Sequence, residues 1–291
     1  MIQFRTLGGL ELCGDGGRAL TSVLAHPKRF AVLLFLAIET PTGGQRRDRL
    51  LALLWPESDQ EHSRGSLRKE IHFLRQSLGP GIIGSRGYDQ LVLDESRIVC
   101  DVRRFRAATR ATRLAEAMDL YGGEFSPGFF VPAAPEFEHW LERQRDALRR
   151  EAIGAAVALS TTAEAAGAGQ AAIAWAWRAH DLAGGDEIPL RRLLELLDRQ
   201  GDRIAALRVF GDYQRWLASE ALEPSAETLA LVARIRVRTE PHSPVAICEL
   251  RDTPPPSAGP RPPRAFRPSV QLGPAGPAFR EDRERPAWRP Q

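Results

Sequence analysis

Six side chains able to hold an anion or a base edge crowd into residues 62–75: His62, Arg64, Arg68, Lys69, His72 and Arg75. Glu70 is the one acid among them, so the segment carries a net charge of +3. At about 100° per residue, Leu67, Ile71, Leu74 and Leu78 share one helical face. His62, Gly65, Lys69, His72 and Gln76 take the opposite face, with Arg64, Arg68 and Arg75 along its flank. The chemistry open to such a face is anion recognition, because a guanidinium can pair two-pronged with a phosphate or a guanine edge. Taken alone, a basic amphipathic face is more often just solvated. The elements around it decide which reading holds.

No constellation for catalysis competes with it. The histidines form no HExxH pair on a helix, and Cys13, Cys100 and Cys248 are too few and too far apart for a disulfide framework or a zinc site. Reduced thiols in a cytoplasmic protein are the expectation, with Cys100 buried at a strand end. Glu136, Glu138 and Glu142 precede Arg143, Arg145 and Arg149 at helical spacing, which predicts ion pairs within a helix rather than paired catalytic carboxylates. Lys28 follows Pro27 and Lys69 follows Arg68, so no Gly-Lys pair can build a phosphate-binding loop. The expectation is a non-enzyme with no catalytic residues, no metal and no cofactor.

The elements that must position the basic face read as α+β over residues 1–103. Ile2 and Phe4, then Leu10 and Leu12, alternate around Gly8-Gly9 and predict a hairpin. Pro27 opens an apolar helix to Glu39, and a second helix covers about 47–54. Ser58, with Glu61 three residues on, predicts a capped start for a helix over 59–78, stopped by Gly79-Pro80. Ile82-Ile83 and Gln90–Leu93 flank a glycine turn and predict a second hairpin, continuing towards Ile98–Cys100, with Arg86 at its tip. Hairpin, three helices and hairpin in that order make a winged helix. The helix over 59–78 would then enter a major groove, and the tip would reach backbone or minor groove.

Residues 104–240 read as helix throughout, at about 104–121, 135–166, 169–183, 186–199, 202–219 and 225–238. Gly167, Ala172 and Ile173 recur 34 residues later as Gly201, Ala206 and Leu207, the period of tetratricopeptide helix pairs. Trp175 and Trp177 flank Ala176, so one should pack between helices while the other lines a groove. Such a repeat could alternatively be a protein- or ligand-binding scaffold, with the winged helix docking partners. Outward arginines, with no apolar residue among them from Arg68 to Gln76, favour the DNA reading. Residues 241–291 hold 13 of the 22 prolines and predict a disordered, mildly basic tail. The apolar run through Ala31–Ile38 is far short of the roughly 20 residues a membrane-spanning helix needs. No h-region marks the N-terminus, so a cytoplasmic protein is expected.

The motifs carry a family likeness. Leu50-Leu51-Ala52-Leu53-Leu54-Trp55-Pro56-Glu57, then Ser66-Leu67-Arg68 and Leu74-Arg75, resemble the OmpR/PhoB-type winged helix in the form it takes in SARP/AfsR-like bacterial transcriptional activators. Asp101-Val102-Arg103-Arg104-Phe105, Leu120-Tyr121-Gly122-Gly123-Glu124-Phe125, Glu138–Arg145 and Leu222-Glu223-Pro224-Ser225 resemble the bacterial transcriptional activator domain of that family. The likeness covers about residues 2–238, with the motifs in the family's order. It implies an α+β winged-helix domain (1–103), an all-α TPR-like domain (104–240) and a disordered Pro-rich tail. It implies double-stranded DNA as a partner, through Arg64, Arg68, Lys69, His72 and Arg75 of the recognition helix, with Arg86 on the wing. Glu57-Ser58-Asp59 resembles the loop that can touch RNA polymerase, making Glu57 and Asp59 contact candidates, though a plain helix cap explains Ser58 and Asp59 equally well. The helical region implies a homodimer. The family's larger members carry an ATPase, and the missing Gly-Lys pair argues against one here. The first strand opens the chain, so no attached receiver domain is expected. Gly65 departs from good helix composition at roughly 1 kcal/mol. It either loosens the helix start or lets the main chain approach DNA.

Overall fold

A helix that is apolar on every side must be enclosed, and the run opened by Pro27 is. The computed structural model describes residues 1–39 and 43–237. In it, helix α2 (Pro27–Glu39) is buried continuously from Arg29 to Ile38. Helix α1 (Thr21–Leu24), helix α3 (Arg47–Leu54) and helix α4 (Gln60–Leu78) surround it. The tail expected over 241–291 lies outside the described residues.

Two small sheets complete this part. Strand β1 (Ile2–Arg5) pairs antiparallel with β2 (Glu11–Cys13), Phe4 opposite Leu12. Strand β5 (Gln90–Leu93) lies between β4 (Ile83–Arg86) and the two-residue β3 (Gln45–Arg46), with Ser85 opposite Leu91. Both expected hairpins are present. Strand β6 (Ile98–Cys100) departs from expectation: it leaves the second hairpin and pairs parallel with β1, Ile2 beside Ile98 and Phe4 beside Cys100. That register puts four apolar side chains on the core face. A parallel pairing across the length of the domain leaves no local turn signal in sequence.

Asp101 fastens that sheet to the helices that follow. It is the first residue of α5 (Asp101–Arg110) and is buried. Its carboxylate accepts hydrogen bonds from Thr6 N (2.6 Å), Leu7 N (2.7 Å), Thr6 Oγ1 (2.9 Å) and Val102 N (2.8 Å). The boundary expected at 103/104 therefore falls inside a helix. The single helix expected over 104–121 is two, because Thr112 takes a left-handed φ of 58° between α5 and α6 (Leu114–Leu120).

The remaining helices follow the sequence closely: α7 (Pro135–Ala165), α8 (Gly169–Ala183), α9 (Glu187–Arg199), α10 (Arg203–Ser219) and α11 (Ala226–Val237). Asp186 caps α9 at Ile188 N (2.9 Å), and Asp202 caps α10 at Ala205 N (3.0 Å). The 34-residue offset maps the start of α8 onto that of α10. Gly167 and Gly201, at φ 74° and 81°, supply the left-handed turns before them. Ala172 and Ala206 are both buried where helices meet. One apolar core runs from Ile2 through α2 to α7 and Ala179, and a second fills the space among α8–α11. No helix among the described residues is long and apolar enough to cross a membrane.

Candidate nucleic-acid interface

Helix α4 begins one residue later than its sequence suggests. Asp59, not Ser58, is the cap, its carboxylate accepting from His62 N at 2.8 Å. A carboxylate at a helix N-terminus also meets the positive end of the helix dipole, which a hydroxyl does not exploit. From there Leu67, Ile71, Leu74 and Leu78 turn inward as expected.

Glu70 is withdrawn from the basic face. Arg29 of α2 bonds it at 2.7 Å, donates to Ser22 O at 3.0 Å, and stacks its guanidinium over the Phe73 ring at 3.5 Å. The one acid of residues 62–75 thus fixes the helix from its inner side. His62, Arg64, Arg68, Lys69 and His72 remain exposed. The side chains of Arg64, Arg68 and Lys69 form no ion pair or hydrogen bond among the described residues. Gly65 opens onto this face, and a Cβ there would meet nothing within 4 Å.

Arg75 has a different place. Its Nε donates to Ile83 O (2.8 Å) and its Nη2 to Ser85 Oγ (3.0 Å), so it ties α4 to strand β4. Ser85 Oγ also accepts from Arg47 Nη2 at 3.3 Å. Two guanidinium groups therefore share one hydroxyl at the root of the hairpin. Beyond it Arg86 is exposed, Gly87 makes the turn at φ 63°, and Tyr88 stands wholly in solvent.

Arg47 belongs to the basic surface and escaped sequence reading. Burial, followed by the charges of Arg75 and Arg68, lowers its pKa. Its Nε is buried without a hydrogen-bond partner. Arg47, Arg64, Arg68 and Tyr88 line a depression of about 460 Å³ between α3, α4 and the hairpin. Asp48 and Asp89 also border it, each 3.9 Å from Arg46. The doublet Arg46-Arg47 at a helix start was the available signal.

The other predicted residues separate. Glu57 is exposed in the α3–α4 turn, while Asp59 beside it spends one carboxylate oxygen on the cap. Cys100 is buried, and its thiol is pushed up to about 12, first by burial and then by Asp101. The α7 acids behave only partly as expected. Glu142 pairs with Arg145 within the helix at 2.5 Å, but Glu138 accepts from Val131 N at 2.6 Å. Arg145 also donates to the carbonyls of Phe125, Ser126 and Phe129, clamping the preceding loop.

Comparison with known proteins places the second half of this architecture. The family model of the bacterial transcriptional activator domain matches residues 97–236. A solved structure, Mycobacterium tuberculosis EmbR in complex with a low-affinity phosphopeptide, shares the fold at a TM-score of 0.57 and 23% identity. The match covers 83% of this chain and 66% of that one, so this chain spans just under two thirds of EmbR's length. No curated protein matches the sequence. Residues 97–236, from β6 through α11, match the bacterial transcriptional activator domain, and the chain resembles EmbR in fold over 83% of its length.

Proposed function

We propose that the chain regulates transcription by binding double-stranded DNA in a sequence-specific manner, with residues 1–103 acting as a winged helix and residues 104–237 as a TPR-like regulatory module. The supporting observation is one surface. It carries the unpaired side chains of Arg64, Arg68 and Lys69, the half-buried Arg47, and a hairpin tip with Arg86 and Tyr88. Pairing Glu70 with Arg29 clears that surface of the helix's own acid at this level. Helix α4 would lie in the major groove, where Arg64, Arg68 and Lys69 reach base edges or phosphates and His72 adds a weaker contact. Arg47, at the depression beside them, suits a phosphate oxygen. Arg86 and Tyr88 would follow the strand to the neighbouring groove. Arg75 then acts by holding the hairpin at a set angle to α4.

A homodimer would read two half-sites about 10 base pairs apart, or direct repeats of similar spacing. The exposed Glu57, with what Asp59 leaves free, would meet a basic patch on RNA polymerase. The test is selection of the full chain against a randomised duplex library at about 0.15 M salt, where non-specific phosphate attraction is already weakened. A single enriched motif, lost in the R64A/R68A/K69A variant, is expected. Equal DNA affinity of wild type and that variant would overturn the assignment of α4.

A further inference from the structure

We propose that the pocket between α8 and α10 is a binding site for a small organic ammonium ion. The pocket measures about 370 Å³, within the range of small-molecule sites. Four rings wall it. Trp177 meets His180 edge-on at 5.9 Å, and Tyr213 lies 5.8 Å from Trp216 at a 32° tilt. Both indoles keep over a third of their surface in solvent, 37% and 40%, although they sit on helices that bury leucine and alanine efficiently elsewhere. Exposed tryptophans facing one cavity form the kind of wall that attracts a cation through the ring quadrupole.

The walls are held in place. Tyr213 donates its hydroxyl hydrogen towards Gly185 O and Glu187 Oε1, each at 3.2 Å, which leaves the ring face for the cavity. Gly185 has a φ of 110°, and a Cβ there would overlap the Trp216 ring. Glycine is therefore required twice, for the turn and for the seat of the indole. This arrangement follows from the fold of the repeat: α8 and α10 are its equivalent helices, and each contributes a tryptophan, Trp177 and Trp216, to the pocket lining.

Charge selects the ligand. Asp181 and Asp212 line the pocket, and no lysine or arginine does. Asp212 is engaged by Arg215, but Asp181 has no ion-pair partner among the described residues. Burial raises the Asp181 carboxyl above its ordinary value, against the pull of His180 and Arg178. Arg178 spends its guanidinium on Tyr121 O at 3.2 Å. Burial likewise lowers His180, so its imidazole supplies no fixed positive charge. An anion would be repelled here, and a neutral apolar guest would cover Asp181 without giving it a counter-charge. An alkylated ammonium satisfies both the rings and the carboxylate. The inference stands apart from DNA binding, since no residue of α4 or the hairpin takes part.

The experiment is calorimetric titration of the full chain with tetramethylammonium, with choline, and with 3,3-dimethylbutan-1-ol, the uncharged isostere of choline. Saturable binding of one cation per chain is expected, at least about tenfold tighter than the isostere, the order that a desolvated cation–aromatic contact provides. D181N, a surface change that leaves the helix intact, should weaken the cation and narrow that preference, and W216L should weaken the cation about tenfold with unchanged circular dichroism. The site is refuted by absence of saturable binding for both cations, by equal affinity for the isostere, or by full affinity in D181N.

Discussion

Arg29 and Arg75 show how charge is allotted among residues that look alike in sequence. Each sits beside the basic face, yet one neutralises Glu70 and the other anchors a strand. Their substitution should therefore read differently from that of Arg68. R68A is expected to reduce DNA affinity and lower the salt dependence by about one released counterion if it holds a phosphate. Uniform loss across sequences marks a phosphate contact, and loss at one base position marks a base reader. R75A should cost about 1–3 kcal/mol of stability, measured by urea unfolding, because it strips two hydrogen bonds from the root of the hairpin. Gly65 separates two explanations of its own presence. G65A fits the free protein and should stabilise it by up to about 1 kcal/mol of helix propensity, seen as a higher thermal midpoint. Weakened DNA binding alongside that gain would mean that the main chain of α4 approaches the duplex at Gly65. Asp101 is the residue-scale counterpart in the core. D101A should destabilise the chain by several kcal/mol, about 3–5, in the same urea assay, since Thr6 N, Leu7 N and Thr6 Oγ1 lose their acceptor together.

Among elements, one carboxylate ties the start of α11 to α9. Glu187 at the start of α9 accepts from Ser225 N at 2.8 Å and from the hydroxyls of Ser225, Thr228 and Tyr213. Partial burial works to raise its pKa. The hydrogen bonds from Ser225, Thr228 and Tyr213 outweigh burial and hold it at about 2, below an ordinary 4.5. Tyr213 responds in the opposite sense and is pushed up to about 12, first by burial and then by the Glu187 charge. A carboxyl whose folded pKa is depressed stabilises the fold above its unfolded pKa and loses that contribution as pH falls through the folded one. Helix α11 should therefore loosen between about pH 4.5 and 2, seen as faster amide exchange along Ala226–Val237. E187Q should flatten this dependence while exchanging faster at neutral pH.

Across the whole molecule, the sheet-bearing part and the helical part share a core. Phe129 packs on Phe30 at 4.7 Å, Trp140 packs on Phe35 at 5.1 Å, and Trp140 Nε1 donates to Glu39 Oε1 at 2.9 Å. Helix α4 is thus braced, through α2, by α7. W140A removes a ring from this junction and should cost about 3–5 kcal/mol, the range for a large aromatic deleted from a core. Its effect should appear equally in tertiary signals from both halves of the chain during denaturation. Loss confined to the helical half would mean that the two halves are not mechanically joined through α2.

The residues themselves determined most of the elements. Periodicity placed α2, α3, α4 and α7–α11 to within a residue or two, since apolar stripes and glycine or proline stops are local signals. The opposite placement of Trp175 and Trp177 also followed from spacing alone: Trp175 packs on the main core and Trp177 lines the pocket. Tertiary structure decided what depends on contacts between distant segments. It paired β6 with β1, took Glu70 off the basic face, and bonded Arg75 to strand β4. It also brought Arg47 beside Arg68 across the α3–α4 turn. A side chain's charge is legible in its type, but whether that charge is free depends on which partner the fold carries within about 3 Å.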